Sequence, residues 1–217
     1  MAVEIKFCGL TRPDDARHAA ALGAAYVGVI FAGGPRMLTT ERAGYVLRAV
    51  PASVKRVGVF ANQTDAEIAP VVDAIRLDVI QLHGEVTRDR IDSLRSATSA
   101  AIWAVVRVTG EQLPANTPEL LDLSDGLLLD AFVPGSLGGN GVALSWTGIA
   151  RELERIRGNR PIILAGGLRP ENVAEAIAAL GPNVVDVSSG VESASGIKDH
   201  ERMRAFRDAV THASIPT

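Results

Sequence analysis

Hydrophobic positions along this chain fall into two alternating textures. Short β-branched or aliphatic runs recur, and each gives way to an alanine-rich amphipathic stretch. The runs predict strands at Val3–Cys8, Tyr26–Phe31, Lys55–Phe60, Val79–Leu82, Ile102–Val106, Gly126–Leu129, Pro161–Ala165 and Val184–Val187. The stretches between them predict helices near 13–22, 40–49, 64–74, 88–96, 117–123, 147–157 and 170–180, with a last one near 199–211. Local punctuation agrees. Thr11 and Arg12-Pro13-Asp14-Asp15 bring proline and two acids into a first turn, where the helix dipole favours acids. Thr64-Asp65-Ala66-Glu67 reads as a capping box, and Arg169-Pro170-Glu171-Asn172 repeats the early-proline pattern. Gly23 and Gly181 sit where helices must stop.

Nearly continuous apolar strands belong to a parallel sheet covered on both faces. Strict β–α alternation gives either an open doubly wound sheet or a closed (β/α)8 barrel. Eight units in 217 residues, about 27 residues each, favour the barrel. The expectation is an α/β chain forming a single (β/α)8 barrel domain over 1–217, with the open sheet as the alternative. No low-complexity linker divides it, and the Gly/Pro-rich stretch 133–141 reads as a loop within one unit.

Composition narrows the functional classes. Hydrophobic residues make up 47% and charged residues 22%, with a net charge of −3. That balance supplies a core and argues against disorder, and it lacks the basic face of a nucleic-acid or anionic-membrane binder. Apolar runs stay short of the ~20 residues that a spanning helix needs. The opening MAVEIKFCGL lacks the basic start and long apolar region of a signal peptide, so a cytoplasmic protein is expected. Cys8 is the single cysteine, and no Cys/His set has zinc spacing. No helix face is unusually apolar, which favours a monomer, with a homodimer as the alternative.

In a barrel the chemistry gathers at the C-terminal strand ends. Those ends carry Cys8-Gly9, Gly33-Gly34-Pro35-Arg36, His83-Gly84, Asp130, Gly166-Gly167 and Ser188-Ser189-Gly190. The loops after strands 7 and 8 form the recurrent phosphate site of this fold, which points to a small phosphorylated substrate at Gly166, Gly167, Ser188, Ser189 and Gly190. Cys8 and Asp130 end strands that face each other across the mouth, placed to move protons at two atoms of a bound sugar. A lone cysteine is more often a small buried hydrophobe, and a thiol needs nearby positive charge to act as a base. Arg36 could clamp a carboxylate or phosphate, or form a surface ion pair; His83 could be an acid/base, a donor or a packed ring. His18, His200 and His212 read as surface residues, Trp103 as core, and Trp146 as packing a loop down.

Lys6-Phe7-Cys8-Gly9-Leu10-Thr11 resembles the opening of the phosphoribosylanthranilate isomerases. The resemblance continues through Gly34-Pro35-Arg36, Gln81-Leu82-His83-Gly84, Leu128-Leu129-Asp130, Gly138-Gly139-Asn140-Gly141, Leu164-Ala165-Gly166-Gly167-Leu168 and Asp186-Val187-Ser188-Ser189-Gly190-Val191-Glu192. It implies a barrel enzyme of tryptophan biosynthesis that needs no cofactor or metal and performs an Amadori rearrangement. By the same resemblance Cys8 is the general base and Asp130 the general acid. Arg36 would hold the anthranilate carboxylate with His83 lining the pocket, and Asp186 joins the glycines and serines as substrate-binding. Two departures stand out. Val142 and Ser145 replace the family's usual basic residue and aspartate, and Gly34 stands where serine commonly precedes Pro-Arg. The competing readings are a histidine-pathway type of sugar-phosphate isomerase, an indole-forming synthase, a non-catalytic phosphate binder and a redox-sensing Cys8. The first typically uses an aspartate where Cys8 stands. The second needs lysines, which are scarce here (Lys6, Lys55, Lys198).

Overall fold

A computed structural model describes residues 2–108, 112–130 and 146–213 of the chain. Eight parallel strands close into a barrel: β1 (Glu4–Phe7), β2 (Tyr26–Ile30), β3 (Lys55–Phe60), β4 (Val79–Leu82), β5 (Ala101–Arg107), β6 (Gly126–Asp130), β7 (Ile162–Ala165) and β8 (Val184–Val187). The seam is made by β1 against β8, with Glu4 opposite Val184 and Phe7 opposite Val187. The open-sheet alternative is therefore excluded. The helices are α1 (Pro13–Ala21), α2 (Thr40–Leu47), α3 (Asp65–Ile75), α4 (Arg88–Ala97), α5 (Thr117–Leu123), α6 (Trp146–Ile156), α7 (Val173–Leu180) and α8 (His200–Ala213).

Successive residues of a strand point to opposite faces, so each strand serves two cores. One set packs outward against the helices, among it Phe7, Val27, Val29, Ile80, Ile102, Leu127, Leu129, Leu164 and Val185. The other fills the barrel: Val57, Val79, Trp103, Leu128, Ile163, Ala165 and Val184. Trp103 is core, as its strand position predicts, with the Tyr26 ring 4.9 Å away.

Helix starts follow their local chemistry. Thr39 and Thr87 accept hydrogen bonds from Arg42 N and Arg90 N. At α3, the Glu67 carboxylate accepts from both the backbone N–H and the hydroxyl of Thr64. Two expectations need correction. The last of the early-proline signals does not open a helix at 170, because the Asn172 side chain stops it: its Oδ1 accepts from Arg169 N at 2.9 Å and its Nδ2 donates to Gly167 O at 3.0 Å. Residues 169–172 are a turn that braces the loop after β7, and α7 starts at Val173. Beyond β8 the chain adds a 3₁₀ turn (Ser189–Val191) and a short hairpin, β9 (Glu192–Ala194) with β10 (Ile197–Lys198), that sequence periodicity did not predict.

Two of the histidines do more than cover the surface. Barrel closure packs α1 beside α8, and this stacks His18 on His200 with ring centroids 4.1 Å apart. His200 Nε2 lies 2.9 Å from Oδ1 of the buried Asp15, so this partly exposed pair also serves as an inter-helix clasp, while His212 is exposed as expected. The loop 133–141, Val142, Ser145 and the packing of Trp146 lie outside the described residues. No helix among the described residues is long and apolar enough to cross a membrane.

Candidate active site

The period-2 rule that fills the barrel also builds the site. Counting inward-facing positions up each strand leads to Lys6 and Cys8 on β1, Gly28 and Ile30 on β2, Val59 on β3, Gln81 and His83 on β4, Arg107 on β5, Asp130 on β6, Ala165 and Gly167 on β7, and Asp186 and Ser188 on β8. Most of these residues line one cavity of about 620 Å³ at the C-terminal mouth. Cys8, His83, Asp130, Gly166, Gly167, Asp186, Ser188 and Ser189 all reach it, as the strand-end argument expected.

Cys8 is buried at the floor of this cavity. Its positive neighbour is Lys6, two residues earlier on the same face, which sequence reasoning passed over because a lysine in a strand ordinarily reads as solvent-facing. Lys6 has no exposed side-chain surface, and its Nζ lies 2.8 Å from Asp186 Oδ2. Burial pushes the Cys8 thiol up from its ordinary value, while the Lys6 ammonium and, more weakly, Lys198 pull it back. Lys6 itself titrates above an ordinary lysine: burial lowers it, but Asp186 and the Cys8 sulfur together outweigh burial.

Clearance for the thiol comes from Gly28 on the neighbouring strand. A methyl group there would lie 2.9 Å from Cys8 Sγ, 3.3 Å from Cys8 Cα and 3.3 Å from Lys6 Cε. Gly28→Ala must therefore displace the sulfur or the β1 backbone. The expected result is a kcat lowered by about tenfold or more, since displacements near 1 Å cost on that scale, with KM changed by less than a factor of about three. Steady-state kinetics on the variant checks it, and an unchanged kcat would show that the thiol's position is not critical.

Across the cavity, Asp130 ends the run Leu127-Leu128-Leu129 and is half-buried at the rim. His83, just past the end of β4, lines the same cavity. Burial holds the imidazole below its ordinary pKa, against the opposing pull of Asp130. A neutral ring fits its contact, with Gln81 Nε2 2.7 Å from His83 Nε2. Gln81 and Arg107 line the cavity as well, and period-2 counting back from His83 and Asp130's strand partner was the signal that could have found them.

Arg36 takes up the ion pair that was one of its two expected readings. It does not line the cavity; its Nε and Nη2 donate to Glu192 at 2.8 and 2.6 Å, a two-pronged pair at the cavity's edge. Glu192 also accepts from Lys198 Nζ at 2.9 Å. Gly190 stands beside the cavity rather than in it. A methyl group there would lie 1.9 Å from Leu168 O, so glycine is what lets the loop after β8 rest on the loop after β7. Among the described residues no group of His, Cys, Asp and Glu could hold a metal ion.

A family model described as N-(5'-phosphoribosyl)anthranilate (PRA) isomerase matches residues 5–209. The chain belongs to the phosphoribosylanthranilate isomerase family. It is 40% identical over 210 residues to the N-(5'-phosphoribosyl)anthranilate isomerase of Pseudomonas fluorescens, covering 96% of this chain and 98% of that one. The crystal structure of phosphoribosylanthranilate isomerase from Thermotoga maritima superposes with a TM-score of 0.84 at 33% identity, over 97% of this chain and 99% of that one. Another solved isomerase, bound to reduced 1-(o-carboxyphenylamino)-1-deoxyribulose 5-phosphate, superposes with a TM-score of 0.82 at 32% identity and the same coverage. The isomerase family thus accounts for the barrel and for the strand-end motifs.

Proposed function

We propose that this chain converts N-(5-phosphoribosyl)anthranilate into 1-(2-carboxyphenylamino)-1-deoxyribulose 5-phosphate, with Asp130 as general acid and Cys8 as general base. What supports this most is the convergence of those two side chains on one cavity, with the loops after β7 and β8 lining the rim between them. Asp130 gives its proton to the ribose ring oxygen as the C1′–O bond breaks. The anthranilate nitrogen lone pair closes the C1′=N bond, leaving an iminium. The Cys8 thiolate then takes the proton from C2′, and the electron pair moves into the iminium to give an enolamine. Loss of the enol proton and protonation at C1′ yield the aminoketone. The iminium is the electron sink, so proton transfer by two positioned groups is the whole of the chemistry required.

The remaining residues hold the substrate. Backbone groups around Gly166, Gly167, Ser188 and Ser189 grip the phosphate. Asp186, whose Oδ1 has no hydrogen-bond partner among the described residues, is set to accept from a sugar hydroxyl. His83 lines the aromatic end. Glu192 uses Nε and Nη2 of Arg36, which leaves the Nη1 side for the anthranilate carboxylate.

Turnover tests the reading. Phosphoribosylanthranilate generated in situ from anthranilate and phosphoribosyl pyrophosphate loses its fluorescence when isomerised. Purified protein should accelerate that decay well beyond the protein-free rate, in chelator as in buffer. A folded protein that gives no acceleration would turn the assignment toward a non-catalytic binder of sugar phosphates.

A further inference from the structure

Lys198 lies outside the cavity, yet it is tied to Ser188 on its wall and to the Glu192–Arg36 pair beside it. Its side chain has no exposed surface, and its Nζ donates to the Ser188 carbonyl oxygen and to Glu192 Oε1, each at 2.9 Å. Its own backbone is pinned from behind: the N–H reaches the buried Asp15 at 3.2 Å, and the carbonyl accepts from Arg12 at 3.3 Å. A buried lysine is costly unless its donors are used. Here each bond lands on a group that adjoins substrate-binding residues.

The Ser188 carbonyl is the informative contact. In a trans peptide the C=O and the following N–H point in opposite directions. A Ser188 oxygen held on Lys198 therefore turns the Ser189 N–H away from Lys198. Ser188 and Ser189 line the cavity and Lys198 does not, so that N–H is turned toward the cavity. The other bond to this oxygen, from Val191 N, is long at 3.5 Å. Without the ammonium the peptide plane is weakly held, and a rotated plane would present a carbonyl oxygen, which repels phosphate, in place of a donor.

We infer that Lys198 is a positioning residue: it orients the Ser188–Ser189 peptide as a phosphate donor and, through Glu192, steadies the neighbouring Arg36. The inference rests on the phosphate reading of the loop after β8.

Titration of the ¹⁵N-labelled protein with inorganic phosphate separates the two ideas. In the wild type the Ser189 amide resonance should shift and saturate. In Lys198→Met the phosphate Kd should rise by about tenfold or more, and Ser189 should lose its place among the responding amides. KM for phosphoribosylanthranilate should rise by a similar factor, and more than kcat falls. If no amide of the loop responds in the wild type, the phosphate reading itself fails. If the wild type responds and Lys198→Met binds phosphate equally well, the phosphate reading stands and Lys198 loses this role. Should the variant not fold, a crystal of the wild type with inorganic phosphate decides. A phosphate oxygen on the Ser189 N–H with the Ser188 oxygen still on Lys198 supports the inference; a Ser188 carbonyl turned into the cavity overturns it.

Discussion

Asp130→Asn should lower kcat by about 10²–10⁴, the range that a positioned general acid contributes, with KM for phosphoribosylanthranilate changed by less than about threefold. Asparagine keeps the shape of the carboxyl group and its place at the end of β6, so substrate binding and the packing of Leu128 beneath it are preserved. What it lacks is a transferable proton, and the ring oxygen is too poor a leaving group to depart unprotonated. Cys8→Ser should fall in the same range for a different reason. A serine hydroxyl beside Lys6 remains protonated far above neutral pH, so C2′ loses its base while ring opening stays available. The two variants are therefore not additive: once either step is blocked, losing the other group costs little more. Steady-state kinetics on both singles and the double variant checks this. A double variant as slow as the product of the two single effects, or full activity in either single, would remove the assigned roles.

The barrel was legible because its two cores share one chain. Inward and outward positions are mostly apolar, so the runs at β2, β6 and β7 are continuous, and the strand ends are followed by the Gly, Ser and charged residues that begin each loop. Asp130 was legible for the same reason, being the first polar group after such a run, and Cys8 and His83 were legible because they stand at strand ends. What sequence reasoning missed lies where tertiary contact overrides local character. Lys6 interrupts an apolar strand, and only the pairing of β1 with β8 supplies the Asp186 that permits its burial. Lys198 sits on a hairpin of two-residue and three-residue strands with no periodicity to read, and its burial depends on Glu192 and on the Ser188 carbonyl. Arg36 was correctly placed at a strand end, yet its partner Glu192 lies 156 residues away in sequence. Asn172 carries the remaining lesson: proline near a helix start is a permissive signal, and a side-chain amide that satisfies two backbone groups at once can move the start by three residues.

Lys6→Met should be the most destabilising single change in the site. It leaves Asp186, only 7% exposed, as a buried charge without its partner, and breaking a buried pair in this way costs about 3–5 kcal/mol. For a chain of this size that is a fall in Tm of roughly 6–20 °C. The sign with pH follows from Lys6 titrating above an ordinary lysine. Its contribution is complete at neutral pH and is lost only as pH rises through that elevated value, so wild type and Lys6→Met should converge in stability at strongly alkaline pH and differ fully near pH 7. The same substitution should act on catalysis. Lys6 is the largest influence pulling the Cys8 thiol down against burial, so without it the rising limb of kcat/KM moves to higher pH. On the acid side each unit of that movement removes about tenfold in thiolate and hence in rate. Lys6→Met/Asp186→Asn separates the two effects. Removing both charges should restore part of the lost Tm, and because Asp186 itself pushes the thiol up, the limb should return part of the way while staying alkaline of the wild type. Thermal melts and kcat/KM profiles from pH 6 to 10 on the three proteins decide the matter. A Lys6→Met profile that overlays the wild type, with only the Tm lowered, would confine Lys6 to holding the barrel floor together.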